Sequence, residues 1–312
     1  MGEGAKGCCT PSRIENSSAP ALASISSKGR FYPQTAIEIP SGKALVGTNT
    51  PLIPDDGEGP VRRKTVKAFR MSATTVTNAS FAQFVEETGY VTEAERYGWS
   101  FVFFSDVPGA IGETQGVVGT EWWRKVDGAD WRNIHGPGTQ NTWKPDHPCV
   151  QVSWNDAIAF ARWCGGRLPV EAEWEHAARG GLGDVPYPWG TAEPDDDSHQ
   201  PCNIWQGRFP QSNTVADGWK NTAPAQSFEP NGLGLYNMVG NVWEWTAAPF
   251  RVKSLKKAVK QKMEMMRGYK LLKGGSFLCH RSYCHRYRIA ARTGNSPDTA
   301  TPHQGFRVVW DM

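Results

Sequence analysis

No stretch of this 312-residue chain approaches the roughly 20 consecutive apolar residues that a membrane-spanning helix needs. Neither sign of charge dominates: 34 Lys and Arg against 31 Asp and Glu leave +3, and nothing so balanced argues for nucleic acid as the main partner. Cysteine is scarce and odd in number. The seven (Cys8, Cys9, Cys149, Cys164, Cys202, Cys279 and Cys284) follow no regular spacing, which argues against a secreted disulfide framework. The opening "MGEGAKGCC" carries Glu3 and no sustained apolar core, so it does not read as a signal peptide. Lys6 stands where a myristoylation signal wants Ser or Thr. Internal repeats and a Pro-rich linker are missing as well. The expectation is one soluble, cytoplasmic domain, large enough to bury a core without disulfide staples.

Tryptophan and glycine are plentiful, at 14 and 33, which points to a loop-rich fold whose gaps are filled by indoles rather than long helices. Residues 1–33, rich in Ser, Gly, Ala and Pro, read as a flexible tail containing Cys8 and Cys9. "AIEIPSGKALVGT" alternates like strands around a turn at Ser41-Gly42, and "RRKTVKAFRMSATTVT" is a second strand region. "TNASFAQFVEETGY" predicts an amphipathic helix capped by Thr77 or Asn78 and stopped by Gly89. "GTEWWRKVDGADWRNIHGPGTQNTWKPDHP" shows no periodicity and reads as a long loop, functional or packed by its own aromatics. Two short helices follow, one capped near Asn155 or Asp156 and closed by Gly165-Gly166, the other ending at Gly180. Residues 251–273 carry nine Lys or Arg and one Glu, with Val252, Leu255, Val259, Met263 and Met266 at helical spacing. They read as a basic amphipathic insertion on the surface, with a dock for an acidic partner as the sharper alternative.

The most unusual segment is "GGSFLCHRSYC", residues 274–284, which places two of the seven cysteines five apart among polar residues. An odd offset on a strand sends side chains to opposite faces. On a helix the same offset leaves them well over a right angle apart. The sulfurs converge only on a bent segment, which Gly274-Gly275 would permit. Two thiolates alone suit a soft ion of low coordination number, Cu(I) above all. A zinc site would need His280 and His285 to converge too, although adjacent residues on extended chain point apart. A redox-active disulfide or two unrelated core thiols remain possible from spacing alone.

The motifs "YVTEAERYGWSFVF", "ADWRNIHGPG", "DHPCVQVSWNDAIAFARWCGGRLPVEAEWEHAARGG", "PWG", "CNIWQGRFPQSNT", "NGLGLYNMVGNVWEW", "KGGSFLCHRSYCHRYRIAARTGNSPDT" and "GFR" stand in this order from Tyr90 on, within a likeness that runs from about residue 35 to the end. The chain thereby resembles the formylglycine-generating enzymes, or sulfatase-modifying factors. Several of these motifs recur across a wider superfamily with non-catalytic lectin-like modules and iron-dependent sulfoxide synthases. The cysteine pair resembles the active enzymes' own signature, and none of the seven His forms the H-x₃-H-x-E pattern of the synthases.

The resemblance implies a single α+β domain of the C-type-lectin-like kind, over residues 34–312, with little regular secondary structure. It implies oxidation of a cysteine in an unfolded or nascent sulfatase-type polypeptide, within a Cys-x-Pro/Ala-x-Arg motif, to Cα-formylglycine by dioxygen. Cys279 and Cys284 would hold Cu(I), with Ser276, Trp243 and Tyr283 lining the pocket for oxygen and thiol. Arg281, Arg286, Arg288 and Arg292 would serve mainly as ion-pair partners. It also implies two Ca²⁺ sites, one of Asn203, Ile204, Asp217 and Trp219, the other of Asn237, Gly240, Val242 and Glu244. Hard oxygen donors on Gly-bearing turns suit that ion, although the residues alone read as Asx-turns. Three departures are visible. Ala161, Ala178, Ile289 and Val308 occupy the positions of two disulfides in secreted relatives. Val170 replaces a capping Thr. Trp99 stands beside the peptide groove where better-known members carry Asp or another small residue, so weaker reading of the substrate Arg is expected.

Overall fold

The protein, seen as a computed structural model, is described over residues 10–13 and 29–312. Its architecture is α+β with low regular content. The described residues form five short α-helices: α1 (Asn78–Thr88), α2 (Glu93–Tyr97), α3 (Trp154–Trp163), α4 (Glu171–Arg179) and α5 (Lys257–Met265).

The central sheet runs Thr293–Asn295, Lys270–Lys273, Trp243–Pro249, Gln304–Phe306, antiparallel except for the parallel last pair. A second sheet orders Ala36–Ile39, Phe69–Ser72 and Val309–Asp311. A third orders Trp99–Phe103, Thr120–Asp127 and Gln115–Val117. Aromatics fill the space between these layers: Phe81 packs on Phe84, Trp131 and Phe160, with ring centroids 5.1 to 5.9 Å apart. Trp163, Trp174, Trp243, Trp245 and Trp310 are all fully buried.

The helices expected from periodicity are present. α1 is capped by the Thr77 side chain, which accepts from Ser80 N, and ends at the left-handed Gly89. α3 is capped by Ser153 rather than Asn155 or Asp156, with Asp156 closing the capping box from the third helical position. Val170 gives α4 no acceptor, so only the return half of a box remains: Glu173 accepts from Val170 N at 2.9 Å. The alternation over 36–46 gives two strands that do not pair with each other. Ala36–Ile39 pairs with Phe69–Ser72, and Gly42–Val46 with Arg62–Val66.

Three expectations are corrected. The long middle stretch opens with an eight-residue strand, Thr120–Asp127, paired to Trp99–Phe103. The tail over 1–33 is not uniformly loose. Pro11 and Arg13 are buried, and Phe31 packs edge-on against Trp163 at 4.8 Å. Cys8 and Cys9 lie outside the described residues. The basic insertion is anchored rather than merely solvated: Val259 is buried, Lys256 pairs with Asp55 at 2.6 Å, and Lys262 with Asp56 at 2.9 Å. Leu255 stays 94% exposed and lies before the helix, so it does not join the apolar face.

Candidate active site

The strand Lys270–Lys273 feeds directly into Gly274 and Gly275, at φ +94° and +76°, a region where a side chain is strained. A Cβ on Gly275 would sit 2.8 Å from Tyr287 Cα, so this turn closes tightly on the far end of the same loop. Between the two ends the backbone folds on itself. Cys279 N donates to the Ser276 carbonyl, and the N–H groups of Tyr283, Cys284 and His285 all reach the His280 carbonyl. That curl brings Cys279 Sγ and Cys284 Sγ to 2.7 Å, both buried. The awkward spacing is thus resolved by a bend, as the sequence required.

The neighbours sort by charge. His280 Nε2 lies 3.3 Å from Asp196, and His285 Nε2 lies 3.2 Å from Glu193, so both imidazoles face acids rather than the sulfurs. Burial and the Arg288 charge push the His285 pKa down. Arg286 grips Asp56 through two nitrogens at 2.7 and 2.6 Å, Arg288 grips Glu58 at 2.6 and 3.0 Å, and Arg292 meets Glu171 at 2.6 Å. These arginines clamp the cysteine loop to residues 56–58 and to α4, as ion-pair partners. Arg281 is exposed.

The three pocket residues are placed unevenly. Ser276 is fully buried, and its hydroxyl accepts from Leu278 N, so it holds the turn that carries Cys279. Tyr283 stacks on Phe209 at 4.2 Å and meets the edge of Trp122 at 5.3 Å. Beyond Trp122 lies a cleft of about 510 Å³ lined by Phe104, Pro108, Glu121, Arg124 and Pro210 among others. Trp243 shares the main core with both cysteines, and its buried indole N–H has no hydrogen-bond partner.

The donor sets differ in how well they suit metals. Two convergent sulfurs with the nearby imidazoles turned to acids do not suit a four-ligand zinc site; they offer the two soft donors that Cu(I) would take once the sulfurs part to admit it, and their close contact also suits a redox-active pair. In the first calcium set, Asn203 Oδ1 is fully buried without a partner. Beside it the Asp217 carboxylate accepts from Ile204 N, Gln206 Nε2 and Trp219 N, and burial raises its pKa. An orphaned acceptor and a desolvated carboxylate together suit a hard cation. In the second set Asn237 Oδ1 is likewise buried and orphaned. Glu244, however, already takes Arg307 Nε and Nη2 at 2.7 Å each, plus Trp174 Nε1 at 2.7 Å. Its charge is balanced by Arg307, so a cation beside Asn237, Gly240 and Val242 would share Glu244 rather than supply its missing partner.

Sequence reasoning missed what lies at Trp99. The Arg13 guanidinium sits 4.0 Å over the Trp99 ring and 4.3 Å over Tyr97, and its Nη2 donates to the Trp99 carbonyl at 2.7 Å. An indole in place of a carboxylate therefore still receives an arginine, through its π face and its backbone oxygen. The signal was legible as the five letters Cys9-Thr10-Pro11-Ser12-Arg13, but composition averaged it into a tail.

The sulfatase-modifying factor enzyme 1-like domain matches residues 22–312. The formylglycine-generating enzyme of Thermomonospora curvata is 49% identical, over 88% of this chain and 93% of the relative. A Bos taurus protein named inactive C-alpha-formylglycine-generating enzyme 2 is 43% identical, over 87% of this chain and 86% of that one. Among solved structures, PvdO from Pseudomonas aeruginosa superposes with a TM-score of 0.62 at 21% identity, covering 89% of this chain and 95% of its own, which shows the shared fold. With that fold, the motif order and a match over nearly its whole length, the chain belongs to the sulfatase-modifying factor family.

Proposed function

We propose that this protein is a copper-dependent formylglycine-generating oxidase acting on a cysteine of a sulfatase-type polypeptide. Relatives bearing that name support the general activity, but a relative named inactive is nearly as similar, so identity alone does not decide. The observation that carries the reading is the pair of buried cysteines, Cys279 and Cys284, whose sulfurs lie 2.7 Å apart on a loop that Arg286 and Arg288 tie to Asp56 and Glu58.

The overall chemistry balances as follows. A peptide CH₂–SH, one O₂ and two equivalents of a thiol reductant give a peptide aldehyde, H₂S, one disulfide and one water. The substrate Cβ gives up two electrons, the two reductant thiols together give up two more, and dioxygen takes all four. Cu(I), when bound, supplies the centre at which dioxygen is reduced.

The protein's own residues do the rest. Cys279 and Cys284 hold the ion with two soft donors and leave room for the substrate thiol. Trp243 offers a buried N–H donor in the same core. The Tyr283–Phe209 stack walls the site from solvent on the side of the 510 Å³ cleft. Tyr97 and Trp99 receive an arginine by their ring faces. A narrow seat of that kind suits an extended chain, which favours an unfolded or nascent substrate. The free thiols at Cys149, Cys164 and Cys202 support a reducing, cytoplasmic setting. Calcium at the Asn203 and Asp217 set is proposed as structural.

The test is to incubate copper-loaded protein with a Cys-x-Pro-x-Arg peptide, dioxygen and a dithiol, and to read aldehyde by mass spectrometry. Aldehyde that disappears with a Cu(I) chelator supports the reading. Unchanged peptide in the fully supplied reaction defeats it.

A further inference from the structure

The seat described at Trp99 is filled by the chain's own N-terminal segment. Residues 9–13 read Cys-Thr-Pro-Ser-Arg, which reproduces the three fixed positions of the Cys-x-Pro-x-Arg motif attributed to the substrate. Thr10–Arg13 are within the described structure, and Pro11, Ser12 and Arg13 each make a contact with the domain. The Pro11 carbonyl accepts from Asn295 Nδ2 at 2.9 Å, and Ser12 Oγ donates to Asn295 Oδ1 at 2.5 Å. Arg13 N donates to Thr299 Oγ1 at 2.9 Å, and its guanidinium lies against Tyr97 and Trp99.

Asn295 and Thr299 are themselves held in place. Asn295 Oδ1 accepts from Ser296 N, and Ser296 Oγ lies 2.6 Å from Thr299 Oγ1. Asn295 also belongs to the strand that pairs with Lys270–Lys273, the strand that leads into the cysteine loop. The rail that reads this segment and the loop that carries the thiols therefore share one sheet.

Arg13 is 6% exposed; two aromatic faces, the Trp99 carbonyl and the nearby Asp298 charge receive its guanidinium, while burial still lowers its pKa and leaves Nε and Nη1 without hydrogen-bond partners, so the segment is held at a cost that a displacing peptide can exploit. Burying a guanidinium is unfavourable unless the surroundings are shaped to take a cation. One segment thus combines the substrate motif with an arginine seated on Tyr97 and Trp99.

We propose that Thr10–Arg13 is an internal occupant of the substrate groove, a substrate mimic carried by the chain that an incoming peptide must displace. This inference rests on the reading of the site as a formylglycine-generating one. A ligand attached to the same chain competes at an effective concentration of about millimolar order, so it masks a groove of modest intrinsic affinity. The chain would then turn over only peptides whose further contacts outcompete its own segment.

The experiment compares the full native chain with Arg13→Glu and Arg13→Lys. The first places a carboxylate beside Asp298 and expels the segment, and the second keeps a cation. Calorimetry with an Ala-Thr-Pro-Ser-Arg peptide, whose reactive cysteine is replaced, reads groove access without any turnover. Binding to Arg13→Glu should be at least about fivefold tighter than to the native chain, with Arg13→Lys in between. The KM for a Cys-x-Pro-x-Arg substrate should fall by a similar factor. A free Thr-Pro-Ser-Arg peptide should inhibit Arg13→Glu competitively, and Thr-Pro-Ser-Ala should not. Aldehyde at Cys9 in the native chain, found by peptide mapping, would support the same register. Equal peptide affinity for the native chain and Arg13→Glu overturns the proposal even if turnover is normal. Improved binding with no turnover under any condition instead rejects the formylglycine reading and leaves the occupancy standing.

Discussion

Cys279 and Cys284 share the main core with the other buried thiols and differ in having a sulfur as neighbour. Cys149, Cys164 and Cys202 sit in the aromatic core, where burial pushes their pKa up, that of Cys164 to about 12, so they stay protonated and inert at neutral pH. The pair faces its own partner sulfur on a loop bordered by Arg286 and Arg288. Replacing either by Ser exchanges a soft donor for a hard one of much higher pKa. Cys279→Ser and Cys284→Ser should each lose Cu(I) binding and nearly all aldehyde formation while keeping the native melting temperature within a few degrees. Cys149→Ala, Cys164→Ala and Cys202→Ala should stay active and lose only about 1 kcal/mol in packing. Activity retained by either mutant of the pair would reject the two-sulfur site. At this scale the sequence was informative where chemistry sits in a dense local motif, as in "GGSFLCHRSYC". It was uninformative for Glu244, because nothing near it in the chain announces that its counter-ion is Arg307, 63 residues away.

Short elements were the hardest to read, because a cap rather than a period defines them. α2 has five residues, too few to show helical periodicity, and is fixed by the capping box of Thr92 and Glu95. Thr120–Asp127 buries Thr120, Trp123 and Val126, a spacing of three that hides its strand character. Longer α1, α3 and α4 were legible because their apolar stripes run for several turns. α2 also carries a titration with a stability consequence. Glu93, its first residue, is buried against Asp156, with Asp298 farther off and Asn155 donating to its carboxyl. Burial first, and then the Asp156 charge, lift its pKa from the usual 4.5 to about 7. The folded chain therefore keeps a proton that the unfolded chain releases. Stability from this group is complete below about 4.5, declines as pH rises, and is gone above about 7, a change of at most about 3 kcal/mol. Glu93→Gln cannot ionise, so its advantage over the native chain in urea unfolding should grow from pH 5 to pH 7 and then level off. A difference that is constant with pH would show that Glu93 ionises normally in the fold.

On the scale of the whole molecule, charges buried in pairs join segments far apart in the chain. Glu175 and Lys273 are both fully buried at 2.8 Å, and Glu175 also accepts from Gly47 N, so α4, the central sheet and the end of the strand Gly42–Val46 meet there. Glu244 and Arg307 join the central sheet to the carbonyl of Tyr236. Ala161, Ala178, Ile289 and Val308, where the resemblance places disulfides in secreted relatives, are buried apolar contacts instead. Such a framework stays vulnerable where acceptors are left without a partner, at Asn203 and Asn237. A cation bound only by the folded chain stabilises it by about 2.7 kcal/mol at a hundredfold excess over its dissociation constant. The melting temperature should therefore rise by several degrees on adding calcium to chelator-treated protein. Asp217→Asn should remove that dependence by deleting the one charged ligand of the Asn203 set. Glu244→Ala should lower the melting temperature equally with calcium and with chelator, because it strands Arg307, a loss of roughly 3 kcal/mol or more. If calcium leaves the native melting temperature unchanged, the Asn203 set is an Asx-turn network. If Glu244→Ala is rescued by calcium, Arg307 is not its principal partner and the second set belongs to the metal after all.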